Sequence, residues 1–143
     1  MLLFTQYLRH HPPQQFDCVV SISGVSNLVD TVETYARDET LRVYAHKGIG
    51  NPGDAEQKQM LIHNSPISHV DEMAGPILLV HGDHDTQVRV RQSREFYSAA
   101  RTAGVDIEYV EMDSGTHYFG ENNNRLTLFR TLDRFLKEHL LGD

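Results

Sequence analysis

The sequence predicts an α/β fold in which parallel strands are flanked by helices. Two observations carry this. Pro76-Ile77-Leu78-Leu79-Val80 is a continuous apolar run of strand length, as expected for a parallel strand covered on both faces. Strand-like and helix-like stretches also alternate along all 143 residues, the order that right-handed crossovers between parallel strands require.

Each element has its own signal. Leu3 with Tyr7, and Phe4 with Leu8, sit one turn apart, so Met1 to His10 is read as a helix, and His11-Pro12-Pro13 stops it. Asp17 to Ser23 is short, β-branched and mostly apolar, and is read as a buried strand ending at Gly24. Val29, Val32 and Tyr35 mark a short helix within a mixed stretch from Asn27 to His63. Asn51-Pro52-Gly53-Asp54 is a turn, with Asp54 placed to cap a helix to about Ile62, and Asn64-Ser65-Pro66 breaks that helix. After the Pro76 strand comes a polar loop, His81-Gly82-Asp83-His84-Asp85. A helix then runs from about Val90 to Ala103, with Phe96, Ala99, Ala100 and Ala103 on one stripe and Gly104 as its stop. Val105, Ile107 and Tyr109 alternate with acids, which marks a strand near a sheet edge. The loop Ser114 to His117 follows. After the Asn122–Asn124 cluster comes a last helix, with Leu128, Leu132, Phe135, Leu136 and Leu140 expected inward. No internal repeat or domain boundary is visible.

Composition narrows the function. A net charge of −7 with no basic cluster argues against nucleic acid and anionic membranes as partners. No apolar run approaches a membrane span. Cys18 is the single cysteine, so no internal disulfide forms; it is read as a small buried hydrophobe, and a cytoplasmic location is expected. The acidic pair Asp71-Glu72 is read as solvated.

In open α/β sheets the chemistry sits at the carboxyl ends of the strands. Two loops there hold suitable residues. Asp85 follows one strand and His117 the next, so they are candidates to meet above the sheet. A carboxylate that accepts the Nδ1–H of an imidazole fixes its tautomer and stabilises the imidazolium formed in catalysis. Another reading uses His81, Asp83, His84 and Asp85 as metal ligands of a hydrolase, although their spacing matches no familiar zinc pattern. The remaining histidines show no ligand spacing.

Ser65-Pro66-Ile67, then Gly75 to Val88 with its Leu-Leu-Val-His-Gly-Asp-His-Asp core, resembles the C-terminal signature of the prolyl oligopeptidase superfamily of α/β-hydrolases, in its dipeptidyl-peptidase and acylaminoacyl-peptidase branches. Gly115-Thr116-His117 is similar to the family's histidine loop, with one extra residue between Gly and His. Phe16 to Leu28 is similar to the strand and loop after the nucleophile helix. The resemblance implies the C-terminal portion of an α/β-hydrolase fold over 1–143, with the N-terminal half of the sheet missing, and a serine peptidase triad with Asp85 as acid and His117 as base. It implies no cofactor, and a peptide substrate for the full-length parent. A serine esterase of the same fold and a non-catalytic interaction module are the competing functions.

The resemblance also implies a nucleophile in a G-x-S-x-G elbow. No such motif occurs in the sequence, and the family pattern places it just before Met1. Ser23, Ser26, Ser65, Ser68 and Ser114 all lack elbow context, and Ser114 is read as a turn hydroxyl. The chain alone is therefore expected to be inactive. Val29, Val32 and Tyr35 fall where the family builds part of a substrate pocket, with plain helix packing as the competing reading. The edge of the strand at Asp17–Ser21 is expected to be bare and to drive self-association. Light scattering at micromolar concentration tests this, a monodisperse monomer being the contrary result.

Overall fold

The computed structural model describes residues 16–73 and 75–142. The helix expected over Met1 to His10 lies outside the described residues.

Among the described residues three parallel strands form the sheet: β1 (Val19–Ile22), β2 (Ile77–Gly82) and β3 (Ile107–Met112), in the order β1-β2-β3. Val19 pairs with Ile77, and Ile77 with Ile107, so all three strands enter the sheet level and deliver their C-terminal loops to one rim. The central strand β2 is buried at all six positions, as its unbroken apolar run predicts. Among the described residues β1 pairs with β2 on one side only. It is shorter and wetter than expected, with Ile22 42% exposed, because an edge strand has half its neighbours.

Helices cover both faces. α1 (Leu28–Tyr35), α2 (Glu39–Gly48) and α3 (Ala55–His63) make the crossover from β1, and a kinked 3-10 segment (Pro66–Glu72) leads into β2. α4 (Arg91–Thr102) connects β2 to β3, and α5 (Asn122–Leu136) closes the fold. Ile77 and Leu79 of β2 pack with Phe96, Ala100 and Ile107 on the α4 side. Leu78 and Val80 pack with Met112, Phe119 and Phe135 on the α5 side. The alternation along β2 thus feeds two cores from one strand.

The caps follow local chemistry. Asn27, Asp38 and Asp54 accept first-turn amides of α1, α2 and α3. Gly104, at φ 78°, ends α4 with its own amide on the Arg101 carbonyl and that of Val105 on the Ala100 carbonyl. α5 begins at Asn122 rather than after the asparagine cluster. Leu140 is not inward: it lies in a π turn over Lys137–Leu141 and is exposed. Ala103 is likewise exposed at the end of its stripe.

α2 is the element the apolar pattern did not reveal. Leu41, Val43 and Tyr44 are exposed, and only Ala45 is buried. Val32 is fully buried with Leu28, Ala45 and Leu61, and Val29 and Tyr35 pack on that cluster, so this trio is helix packing. Cys18 is half-buried beside the α5-side core, and burial, aided by Asp17, pushes its thiol pKa up, which suits packing and not nucleophilic attack. Asp71 and Glu72 are exposed as expected. On the outer surface Arg94 grips Glu111 through two hydrogen bonds, 2.9 and 2.6 Å, and ties α4 to β3. That contact, with the Tyr109 hydroxyl and against partial burial, pulls the Glu111 carboxyl down to about 2. Its stabilising effect is present above the ordinary carboxylate range and is lost as pH falls toward that value. Among the described residues, no helix is long and apolar enough to cross a membrane.

Candidate active site

Two loops on the C-terminal rim of the sheet build the site. The first leaves β2 at Gly82 and carries Asp85. The second leaves β3 at Met112 and carries His117. They are laced together backbone to backbone: the Asp83 amide donates to the Met112 carbonyl at 3.1 Å, and the His84 amide donates to the Gly115 carbonyl at 2.9 Å. The lacing depends on two glycines. A Cβ at Gly82 would lie 2.2 Å from the Gly115 carbonyl oxygen, and a Cβ at Gly115 would lie 2.8 Å from the Gly82 Cα. Neither position has room for a side chain.

The first loop is shaped around the Asp85 carboxylate. Its Oδ1 accepts the amides of Gln87 and Val88 at 2.8 and 2.9 Å, an Asx-type turn. Its Oδ2 accepts the Nδ1–H of His117 at 2.7 Å. The side chain is fully buried, while that of His117 is 22% exposed. Burial pushes the carboxyl pKa up, but the Val88 amide, the His117 ring and the Gln87 amide outweigh it, so it lies below the ordinary carboxylate value. Asp85 is thus a fixed, ionised acceptor.

The second loop anchors His117 from both flanks. Gly115 is locked against Gly82, and Phe119, in the left-handed region at φ 48°, is buried in the α5-side core. His117 sits between them at the surface, edge-on to exposed Tyr118, whose hydroxyl accepts from the Gln87 side chain at 2.7 Å. Among the described residues, Nε2 of His117 takes no hydrogen bond. A nitrogen so placed, on a ring whose Nδ1–H faces a carboxylate, is equipped to take and return a proton.

The structure brings Asp85 and His117 together and splits the proposed metal cluster, leaving His81 beside Asp85. His81 is buried at the end of β2, with Nδ1 on Ser93 Oγ at 2.7 Å and Nε2 on the Val88 carbonyl at 2.9 Å. His84 is exposed, and Asp83 has a buried Oδ1 without a hydrogen-bond partner among the described residues. Among the described residues, no three His, Cys, Asp or Glu side chains converge as metal ligands. The geometry of the donors therefore contradicts the metal reading.

Two of the candidate serines are held by other partners. Ser26 Oγ donates to the Gln92 carbonyl at 2.8 Å, and Ser65 Oγ donates to the Leu61 carbonyl and accepts the Leu28 amide. Ser23 is buried at φ 49° with a hydroxyl that has no partner among the described residues, and Ser68 and Ser114 are exposed. None is hydrogen-bonded to His117.

Sequence reasoning missed Gln92. It is buried in the first turn of α4 at 2% exposure. Its Oε1 accepts the Ser26 and Asn27 amides at 2.9 and 2.7 Å, and its Nε2 donates to Asp30 Oδ2 at 2.8 Å. Arg91 pairs with the same Asp30. This hub fastens α4, which follows the acid loop, to the β1 exit and α1.

The fold is that of the C-terminal portion of an α/β-hydrolase, and the acid–imidazole pair lies on the C-terminal rim of its sheet. The sequence profile of the prolyl oligopeptidase family matches residues 3–143, and the chain belongs to that family. Dipeptidyl-peptidase 5 of Porphyromonas endodontalis is 28% identical over 92% of the chain, which spans 20% of that relative. Esterase LipQ of Mycobacterium tuberculosis is 41% identical over 38% of the chain and 13% of its own length. Acylaminoacyl peptidase of Pyrococcus horikoshii superposes at a TM-score of 0.77 and 22% identity, over 93% of this chain and 22% of that one. The chain thus spans about a fifth of the dipeptidyl-peptidases it matches.

Proposed function

We propose that this chain supplies the acid and the general base of a serine peptidase triad, with Asp85 as the acid and His117 as the base. The observation that supports this is the 2.7 Å hydrogen bond from His117 Nδ1 to a fully buried carboxylate, with Nε2 left toward the surface. In this reading a serine outside the 143 residues attacks an amide carbonyl. His117 Nε2 takes the serine proton and passes it to the leaving amine, and water then resolves the acyl-enzyme. Asp85 holds the ring in the Nδ1–H tautomer and stabilises the imidazolium.

The peptidase reading is preferred to an esterase one because the relative named as a dipeptidyl-peptidase aligns over 92% of the chain, and the named esterase over 38%. The polypeptide by itself is expected to be inactive, since it has no G-x-S-x-G elbow. A fluorophosphonate serine probe tests this. We expect no specific labelling of the purified chain. Labelling that His117→Ala abolishes contradicts the proposal, because it requires a nucleophile among the serines described above. The reading frame upstream of Met1 separates this proposal from a stand-alone interaction module: an in-frame elbow a few codons upstream supports the triad, and a stop codon supports the module.

A further inference from the structure

We infer that His81 is a positioning residue for the Asp85–His117 pair, a role that rests on the acid–base reading above. The motif makes His81 look like the polar end of a buried strand. The structure puts its ring against the acid itself. His81 is fully buried, and its Nε2 lies 3.2 Å from Asp85 Oδ2, the oxygen that accepts from His117. The same Nε2 lies 2.9 Å from the Val88 carbonyl. A carbonyl oxygen only accepts, so Nε2 carries the proton and donates it to Val88, with Asp85 Oδ2 in close polar contact beside the same nitrogen.

These contacts close a ring. The Val88 amide donates to Asp85 Oδ1 at 2.9 Å, while the Val88 carbonyl accepts from His81. His81 thereby holds the backbone that holds the carboxylate, and its ring packs against the carboxylate itself. Its other nitrogen meets Ser93 Oγ at 2.7 Å, in the first turn of α4, so the ring has little freedom to rotate. Ser93 neighbours Gln92, the hub that fixes this turn to the β1 exit. A relay of positions thus runs from α4 through Ser93 and His81 to Asp85, and it sets the oxygen that His117 must find. A ligand-orienting shell of this kind acts on the reacting ring without touching substrate.

The test reads His117 and not the stability of the fold. In the 143-residue chain with 15N-labelled histidine, the Nδ1 proton of His117 held by Asp85 is expected as a slowly exchanging, far-downfield resonance, assigned by its loss in His117→Asn. His81→Phe fills the same space without the donor, and His81→Gln retains a side-chain N–H. We expect the His117 resonance to be lost to solvent exchange in His81→Phe and kept in His81→Gln, with dispersed backbone spectra in both. Ser93→Ala, a smaller change that frees the His81 ring, is expected to speed the exchange and decides the matter if His81→Phe does not fold. An unchanged His117 resonance in folded His81→Phe or in Ser93→Ala overturns the positioning role alone. A resonance missing from the unaltered chain overturns the Asp85–His117 reading and this inference with it.

Discussion

Gly82→Ala is expected to destabilise the fold by at least about 3 kcal/mol, the upper end of the usual cost of overpacking. The new methyl would sit 2.2 Å from the Gly115 carbonyl oxygen and 2.4 Å from its carbon. Both are backbone atoms, so no side chain can rotate away. Relief requires the acid and histidine loops to part, which breaks the His84 amide bond to Gly115 and pulls Asp85 from His117. Urea unfolding measures the cost, with a midpoint lowered by roughly 1.5 M at an m-value of about 2 kcal/mol/M. Gly115→Ala should behave alike, since its Cβ meets Gly82 Cα and Met112. Gly120→Ala is the control: nothing lies within 4 Å of its Cβ, and the midpoint is expected to stay. A Gly82→Ala protein as stable as the parent contradicts the close approach of the two loops.

Gln92→Met is expected to cost about 2–4 kcal/mol, with side-chain volume nearly kept so that no large cavity complicates the reading. The substitution strands the Ser26 and Asn27 amides that Oε1 now accepts, and it takes a donor from Asp30. An unsatisfied buried donor costs about 1–3 kcal/mol. The Arg91–Asp30 pair survives, which sets an upper limit to the damage. The same urea measurement applies, and a change below about 0.5 kcal/mol, the range of ordinary surface substitutions, contradicts the hub.

These two positions also show where sequence reasoning stops. The glycines of His81-Gly82-Asp83 and Ser114-Gly115-Thr116 are visible as loop residues, but nothing along the chain says that they face each other. That fact belongs to the parallel pairing of β2 with β3. Gln92 reads as a polar residue on a solvated helix, and its burial comes from the loop after β1, 65 residues away from it at Asn27. What was legible rests on periodicity and on local chemistry: the all-buried β2, the Asp54 cap and the glycine that stops α4. α2 was illegible because its apolar residues do not line one buried face. The metal cluster failed for a related reason. Residues close in sequence at the end of a strand diverge, with His81 turned into the core and His84 out to solvent. Parallel strands deliver the Asp85 and His117 loops to the same rim, the resemblance to the family's signature singles the two residues out, and the structure adds that their side chains meet.

That pairing is the central claim, and the histidine spectrum of the unaltered chain tests it most directly. The account predicts a far-downfield His117 Nδ1 proton, protected from exchange in the parent and lost in Asp85→Ala while the backbone spectrum stays dispersed. A His117 ring that exchanges freely in the parent, or keeps its protected proton in Asp85→Ala, contradicts it.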